Sequence, residues 1–216
     1  MKDYFRRARH EILPYLPKRI DKILDVGCGE GATSALIKNS YPSINWMGGI
    51  ELSVSAAQEA EKTLDKVWCA SIEDLIIENE IPKASLDVIL CLDVLEHLAD
   101  PWDFVKKISP LLANEGRLIV SIPNIRNWKF IKNLLFRGDF RYREAGLLDK
   151  THLRFFVRET AIELSEIGGL SVSYCGNAHQ WKIFDFRNIL SMLTMKKIDD
   201  LLIKQFVIVA SPKKHI

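Results

Sequence analysis

Five short apolar runs, at 22–26, 44–51, 66–71, 86–93 and 117–123, are separated by stretches with helical spacing. This alternation limits the chain more than any other feature. Strand, crossover helix and parallel strand form the repeating unit of an open α/β sheet. The run 86–93 (LDVILCLD) is apolar almost throughout, as a strand covered on both faces must be. Two later runs, 170–175 and 204–211, lack that alternation and are expected to pair antiparallel. The expected architecture is α/β, a Rossmann-like doubly wound seven-stranded sheet. It is mostly parallel, with an antiparallel last strand and helices on both faces.

Helix signals fill the intervals. Residues 3–16 place Phe5, Ala8, Ile12 and Tyr15 on one face, with Pro14 and Pro17 ending the helix. A second helix is expected at 31–39. Ser53 or Ser55 caps a third, with Val54, Ala57, Ala60 and Leu64 at helical spacing. Asp100-Pro101 starts a fourth, with Phe104, Val105, Ile108, Leu111 and Leu112 inward and Pro110 bending or splitting it. Residues 157–167 form a fifth, closed by Gly168-Gly169. The chain thus reads as one domain, 1–216. It carries an N-terminal helical cap (1–20), an insert at 124–156 and a helical insert at 176–203.

The 216 residues suffice for a substantial core, and 48% apolar with 27% charged is a globular balance. No apolar run approaches the roughly 20 residues of a membrane helix. The basic start has no secretory-signal pattern, and Cys28, Cys69, Cys91 and Cys175 form no C-x-x-C pair. The expectation is a cytoplasmic protein with reduced thiols. The net charge of +2 is unevenly spread: 126–154 holds eight Lys/Arg against three acids, which favours an anionic partner.

The first apolar run leads into DVGCGEG (25–31), a loop with glycine at every second position. Glycines there let a ligand lie against the backbone. Glu51 ends the second run, 22 residues beyond Gly29, where an acid can bind ribose hydroxyls. The pattern is G-x-G-x-G, not the dinucleotide G-x-G-x-x-G, and Asp25 and Glu30 would repel a pyrophosphate. An ammonium and a sulfonium suit the loop better, and S-adenosylmethionine carries both.

ILDVGCGEG, GIELS, CASIEDL, LDVILCLDVLEHLADP and GRLIVSIPN, in that order, resemble the successive motifs of class I S-adenosylmethionine-dependent methyltransferases. The resemblance spans roughly residues 20–175. It implies that Gly27, Cys28 and Gly29 border the amino-acid end of the cofactor and that Asp25 orients its ammonium. Glu51 would bind the ribose and Leu52 would pack on the adenine. Ser71, Ile72 and Glu73 would lie at the adenine edge, although many members carry Asp where Ser71 stands. Cys91, Leu92 and Asp93 would lie beneath the methionyl part.

The acceptor is less legible. The fifth run ends Ser121-Ile122-Pro123-Asn124, not the Asn/Asp-Pro-Pro-aromatic motif of enzymes acting on DNA adenine or amide nitrogen. A hydroxyl acceptor is expected, with His152 or His97 as the base. His10, His179 and His215 are assigned no role. Asp93, Glu96 and His97 share a helical face and could ligate a divalent ion, as the likeness of DVLEH to ubiquinone-pathway O-methyltransferases allows. The expectation is nonetheless no metal and activity that survives chelation.

The 124–156 segment resembles a lid found in a bacterial subgroup associated with surface-polysaccharide synthesis. Basic residues alternate there with Trp128, Phe130, Phe136, Phe140 and Tyr142. The leading expectation is O-methylation of a sugar or glycan intermediate, with no DNA partner and RNA disfavoured. A quinone-like phenol, another small molecule or a catalytically silent cofactor-binding regulator are the alternatives. Peripheral membrane contact and a homodimer are left open.

Overall fold

The computed structural model describes residues 7–214 except 76, 78–79 and 179–197. The strands are β1 (Lys22–Val26), β2 (Trp46–Glu51), β3 (Lys66–Cys69), β4 (Leu86–Leu92), β5 (Leu112–Pro123), β6 (Leu170–Asn177) and β7 (Gln205–Pro212). They form one sheet in the order β3-β2-β1-β4-β5-β7-β6. The pairs among β1 to β5 are parallel, and β7 runs antiparallel to both β5 and β6. The helices are α1 (Ala32–Ser40), α2 (Val54–Ala60), α3 (Pro101–Ile108), α4 (Trp128–Arg137), α5 (Arg158–Ser165) and α6 (Asp199–Leu202).

Alternation along the strands explains the two-sided burial. Leu24, Val26, Ile89 and Cys91 join Phe104, Val105 and Ile108 of α3 and Ala161 and Leu164 of α5 in one apolar cluster. Ile23, Val88 and Leu90 pack with Ile37 of α1 and Ala60 of α2 in another. Each strand therefore feeds two layers, as a period of two requires.

Local chemistry sets the helix starts. Asp100 accepts from the Asp103 amide at 2.9 Å, with Pro101 in the first turn. Such a cap contributes about 1 kcal/mol. Ser53 caps α2 through the Ala56 amide at 3.4 Å. Ala57, Ala60 and Leu64 of the expected face are buried, whereas Val54 is exposed and Ala56 is buried in its stead.

Three expectations change. The described part of the N-terminal segment holds a 3-10 helix, His10–Tyr15, with Pro14 inside it. Proline lacks the amide that an α-helix interior needs. The strand expected at 117–123 begins at Leu112; its polar start is joined to β4 through a register shift between Leu86 and Val88. The 124–156 segment contains α4, which has no buried residue and leaves Leu135 and Phe136 exposed. Most of the 176–203 insert lies outside the described residues, as do His179 and His215; α6 belongs to its described end.

Candidate active site

β1 and β4 are neighbours, yet the chain leaves β1 toward β2 and leaves β4 toward β5 on the opposite side. A crevice opens at such a reversal, outside the carboxyl ends of the strands. A cavity of about 1640 Å³ occupies it. One small ligand typically needs about 300–1,000 Å³, so this volume has room for a donor and an acceptor together.

The loop after β1 forms one end. Gly27 and Gly29 have φ of 70° and 56°. A Cβ on Gly27 would also sit 2.7 Å from Cγ2 of Val94, so the loop excludes side chains on two counts. The Gly27 and Cys28 amides donate to the Ile50 carbonyl at 2.8 and 3.1 Å. Glu51 Oε2 accepts from the Gly29 amide at 2.9 Å, and Oε1 from the Ser53 amide at 2.8 Å. Each carboxylate oxygen keeps lone-pair capacity for a ligand hydroxyl. Cys28 is buried, and burial pushes its thiol well above the ordinary range, which leaves it a packing residue.

Asp25 is buried, and its Oδ2 accepts from the Ser34 hydroxyl at 2.6 Å. Burial pushes its carboxyl up to about 6, the Ser34 bond opposes this, and the charge of Glu51 adds to it. Neither Asp25 nor Glu51 has a basic side chain among its hydrogen-bond partners in the described residues. Two close carboxylates without such a counter-charge fit a ligand carrying ammonium and sulfonium groups.

This gives a pH prediction. Only ionised Asp25 attracts the ammonium, so donor binding draws on the deprotonated form. Affinity should be flat above about pH 6 and fall by up to about tenfold per unit below it. Calorimetry across that range checks this; unchanged affinity would separate Asp25 from the donor.

The other expected donor residues take distinct positions. Leu52, 72% exposed, projects at the cavity wall with Ser71, Ile72 and Glu73. Glu73 Oε1 accepts from the Ala99 and Asp100 amides at 2.9 and 3.2 Å, so this acid braces the start of α3. Leu92 and Asp93 line the cavity, whereas Cys91 is fully buried in the apolar core. Cys91 alone of the expected donor residues is absent from the lining.

Asp93 has a positive φ of 59°. Its carboxylate accepts from Arg9 and from Gln205, and both of those side chains also bond Ser121 Oγ, at 3.0 and 2.8 Å. Arg9 further pairs with Glu11. The residues preceding β1 are thereby tied across the ends of β4, β5 and β7. No local motif announced Arg9 or Gln205.

The far end holds Glu96, His97 and His152. Glu96 and His97 belong to a 3-10 turn after β4, Leu95–His97, and His152 lies near the end of the 124–156 segment. The imidazole centroids lie 4.7 Å apart in an edge-to-face contact. His97 Nδ1 faces the Thr151 carbonyl at 3.2 Å and His152 Nδ1 the Leu147 carbonyl at 3.0 Å. A carbonyl only accepts, so each Nδ1 carries hydrogen, and a neutral ring keeps its lone pair on Nε2. Burial lowers the His97 pKa, and His152 lowers it further, which favours the neutral ring. Burial, with Asp93 nearby, pushes the Glu96 carboxyl well above the ordinary range.

Lys129, Phe130, Arg143 and Lys150 bring the basic segment to the same cavity. The aromatic expectation is narrowed. Phe130 lines the cavity, while Trp128, Phe136, Phe140 and Tyr142 are at least 40% exposed and lie outside its lining. Phe140 packs against Phe130, Tyr142 and Phe155 with centroids 5.6–6.1 Å apart. Asn124 does not stand free at the strand end: its amide donates to the Asp200 and Ile203 carbonyls at 2.7 and 2.9 Å.

Residues 24–118 match the family described as "Methyltransferase domain". The chain is 26% identical over 174 residues to the "Ubiquinone biosynthesis O-methyltransferase" of Xylella fastidiosa (strain M23), covering 73% of this chain and 69% of that protein. It is 28% identical over 182 residues to the protein of the same name from Pseudomonas aeruginosa (strain LESB58), covering 75% and 76%. A crystal structure of a SAM-dependent methyltransferase from Archaeoglobus fulgidus shares the fold, with a TM-score of 0.66 at 16% identity and 97% coverage of both chains. Sheet order, glycine loop and the domain match over residues 24–118 together support an S-adenosylmethionine-dependent methyltransferase.

Proposed function

We propose that this methyltransferase methylates a hydroxyl group, and that its acceptor is a small quinone-like phenol. The observation that carries the hydroxyl reading is the His97–His152 pair, whose Nδ1 atoms are engaged and whose Nε2 atoms remain for the acceptor. The names of the relatives support the phenol. S-adenosylmethionine supplies an electrophilic methyl group on sulfonium. Asp25, Gly27, Gly29 and Glu51 hold that donor, and Leu52 and Ile72 cover its adenine. His97 and His152 activate the acceptor oxygen. The 124–156 segment acts as the acceptor-side lid, and much of the remaining work is alignment.

A sugar or glycan intermediate is the second reading. Lys129, Arg143, Lys150 and Lys204 on the cavity wall favour an anionic acceptor such as a nucleotide-sugar. Labelled S-adenosylmethionine with catechols, nucleotide-sugars and lipid-linked sugars separates the two. The expected result is label in a phenolic ether. Label in a sugar ether would reverse the ranking, and donor binding without transfer to any hydroxyl would favour a cofactor-binding regulator.

A further inference from the structure

The sheet order separates opposite charges along one cavity. Asp25 on β1 and Glu51 on β2 stand on one side of β4, and β5 and β7 lie on the other. β2 and β7 are four strand spacings apart, about 19 Å. Four basic side chains, Lys129, Arg143, Lys150 and Lys204, also line this cavity. Two of them are already matched, Arg143 by Asp139 at 3.6 Å and Lys150 by Glu144. Lys129 and Lys204 have no acidic partner among the described residues.

Two buried asparagines hold these lysines together, 75 residues apart in sequence. The Asn124 backbone amide donates to the Lys204 carbonyl at 3.0 Å. Its side chain donates to the Asp200 and Ile203 carbonyls. Asn127 Nδ2 donates to the Leu201 and Ile203 carbonyls at 3.3 and 3.1 Å, and its Oδ1 accepts from the Lys129 amide at 3.2 Å. One side chain therefore joins the backbone of Lys129 to that of the residue before Lys204. Burial of both amides makes this junction costly to open.

The helix then selects which lysine faces inward. Lys129, Phe130 and Asn133 line the cavity, on the face that i and i+4 positions share. Lys132 instead lies over the Trp128 ring, 5.6 Å from its centroid, and outside the lining. Two unmatched ammonium groups thus stand beside one aromatic ring.

We propose that Lys129 and Lys204 form an anion subsite, which selects acceptors carrying a carboxylate or phosphoryl group in addition to the hydroxyl that is methylated. The inference rests on the hydroxyl reading and narrows it. The donor has two positive groups against one carboxylate, so Asp25 and Glu51 attract it and the lysines repel it. An anionic acceptor is sorted the opposite way, and the two ligands are kept from each other's places. Phe130 supplies apolar surface for the body of the acceptor.

The test compares neutral and anionic acceptors in two pairs: catechol with a dihydroxybenzoate, and a free hexose with its nucleoside-diphosphate form. Each is titrated by calorimetry into the full chain loaded with S-adenosylhomocysteine, and each is assayed with labelled S-adenosylmethionine. The anionic member of one pair should bind about tenfold tighter, and the pair concerned distinguishes carboxylate from phosphoryl. Lys129→Gln and Lys204→Gln should each reduce that preference about threefold, the scale of a partly exposed charge pair. The double variant should abolish it, Lys129→Arg should keep it, and Lys132→Gln should leave it unchanged. Added salt should erode it. Unchanged donor affinity establishes that the variants fold. Equal or absent binding within both pairs, or a preference that survives in the double variant, would overturn the subsite, and methyl ether formed under those conditions would leave the hydroxyl reading standing. Lysine-dependent binding of the anionic member with no methyl ether formed would support the subsite and sink the hydroxyl reading.

Discussion

His152→Ala should lower turnover by about 10²–10⁴-fold while leaving S-adenosylmethionine affinity nearly unchanged. His152 lies at the acceptor end of the cavity, and none of its recorded contacts reaches the glycine loop. In the proposed function its removal takes away the group that meets the acceptor oxygen and spares Asp25 and Glu51. His97→Ala is the parallel case, with a further cost because its Nδ1 bond to Thr151 helps hold the 124–156 segment. Turnover numbers with the true acceptor, beside donor titrations, check the split. Full turnover in both variants would leave the histidines as loop anchors and the chemistry as alignment alone.

Glu51→Ala should weaken S-adenosylmethionine by about 1.5–3 kcal/mol, the scale of hydrogen bonds to a charged group. The loss has two physical parts. The ligand loses its acceptor for ribose hydroxyls, and the Gly29 and Ser53 amides lose theirs within the loop. Glu51→Gln separates them, since the amide side chain keeps one oxygen. Calorimetry on the three proteins should rank them wild type, Gln, Ala. Equal affinity in all three would remove Glu51 from the donor site.

Legibility in the sequence followed the range of the forces involved. β1, β2 and β4 were readable because burial on both faces makes each an apolar run. The glycine loop and Glu51 were readable because a positive-φ turn and its bracing carboxylate impose residue types at fixed places. The start of β5 was not, since Asn114, Glu115 and Gly116 carry no strand pattern and fall in the register shift between the Leu86–Leu112 and Val88–Arg117 pairs. The N-terminal 3-10 helix has the periodicity of an α-helix and a proline that forbids one. Arg9 and Gln205 reach Asp93 from 84 and 112 residues away, and no spacing rule spans such distances. His152 was visible as a candidate, but its contact with His97 required the 124–156 segment to return to the end of β4.

The position of β7 bears on how the protein is made. It is the last strand among the described residues, yet it sits inside the sheet between β5 and β6. While a ribosome is still producing residues before 205, β5 has an open edge and β6 has no strand to pair with. An unpaired edge is a template for association with another chain. The nascent protein must therefore carry two unmatched strands until synthesis of the final interior one. Gln205 opens that strand and also bonds Asp93, so closing the sheet and completing the cavity wall at Asp93 occur in the same step of biogenesis.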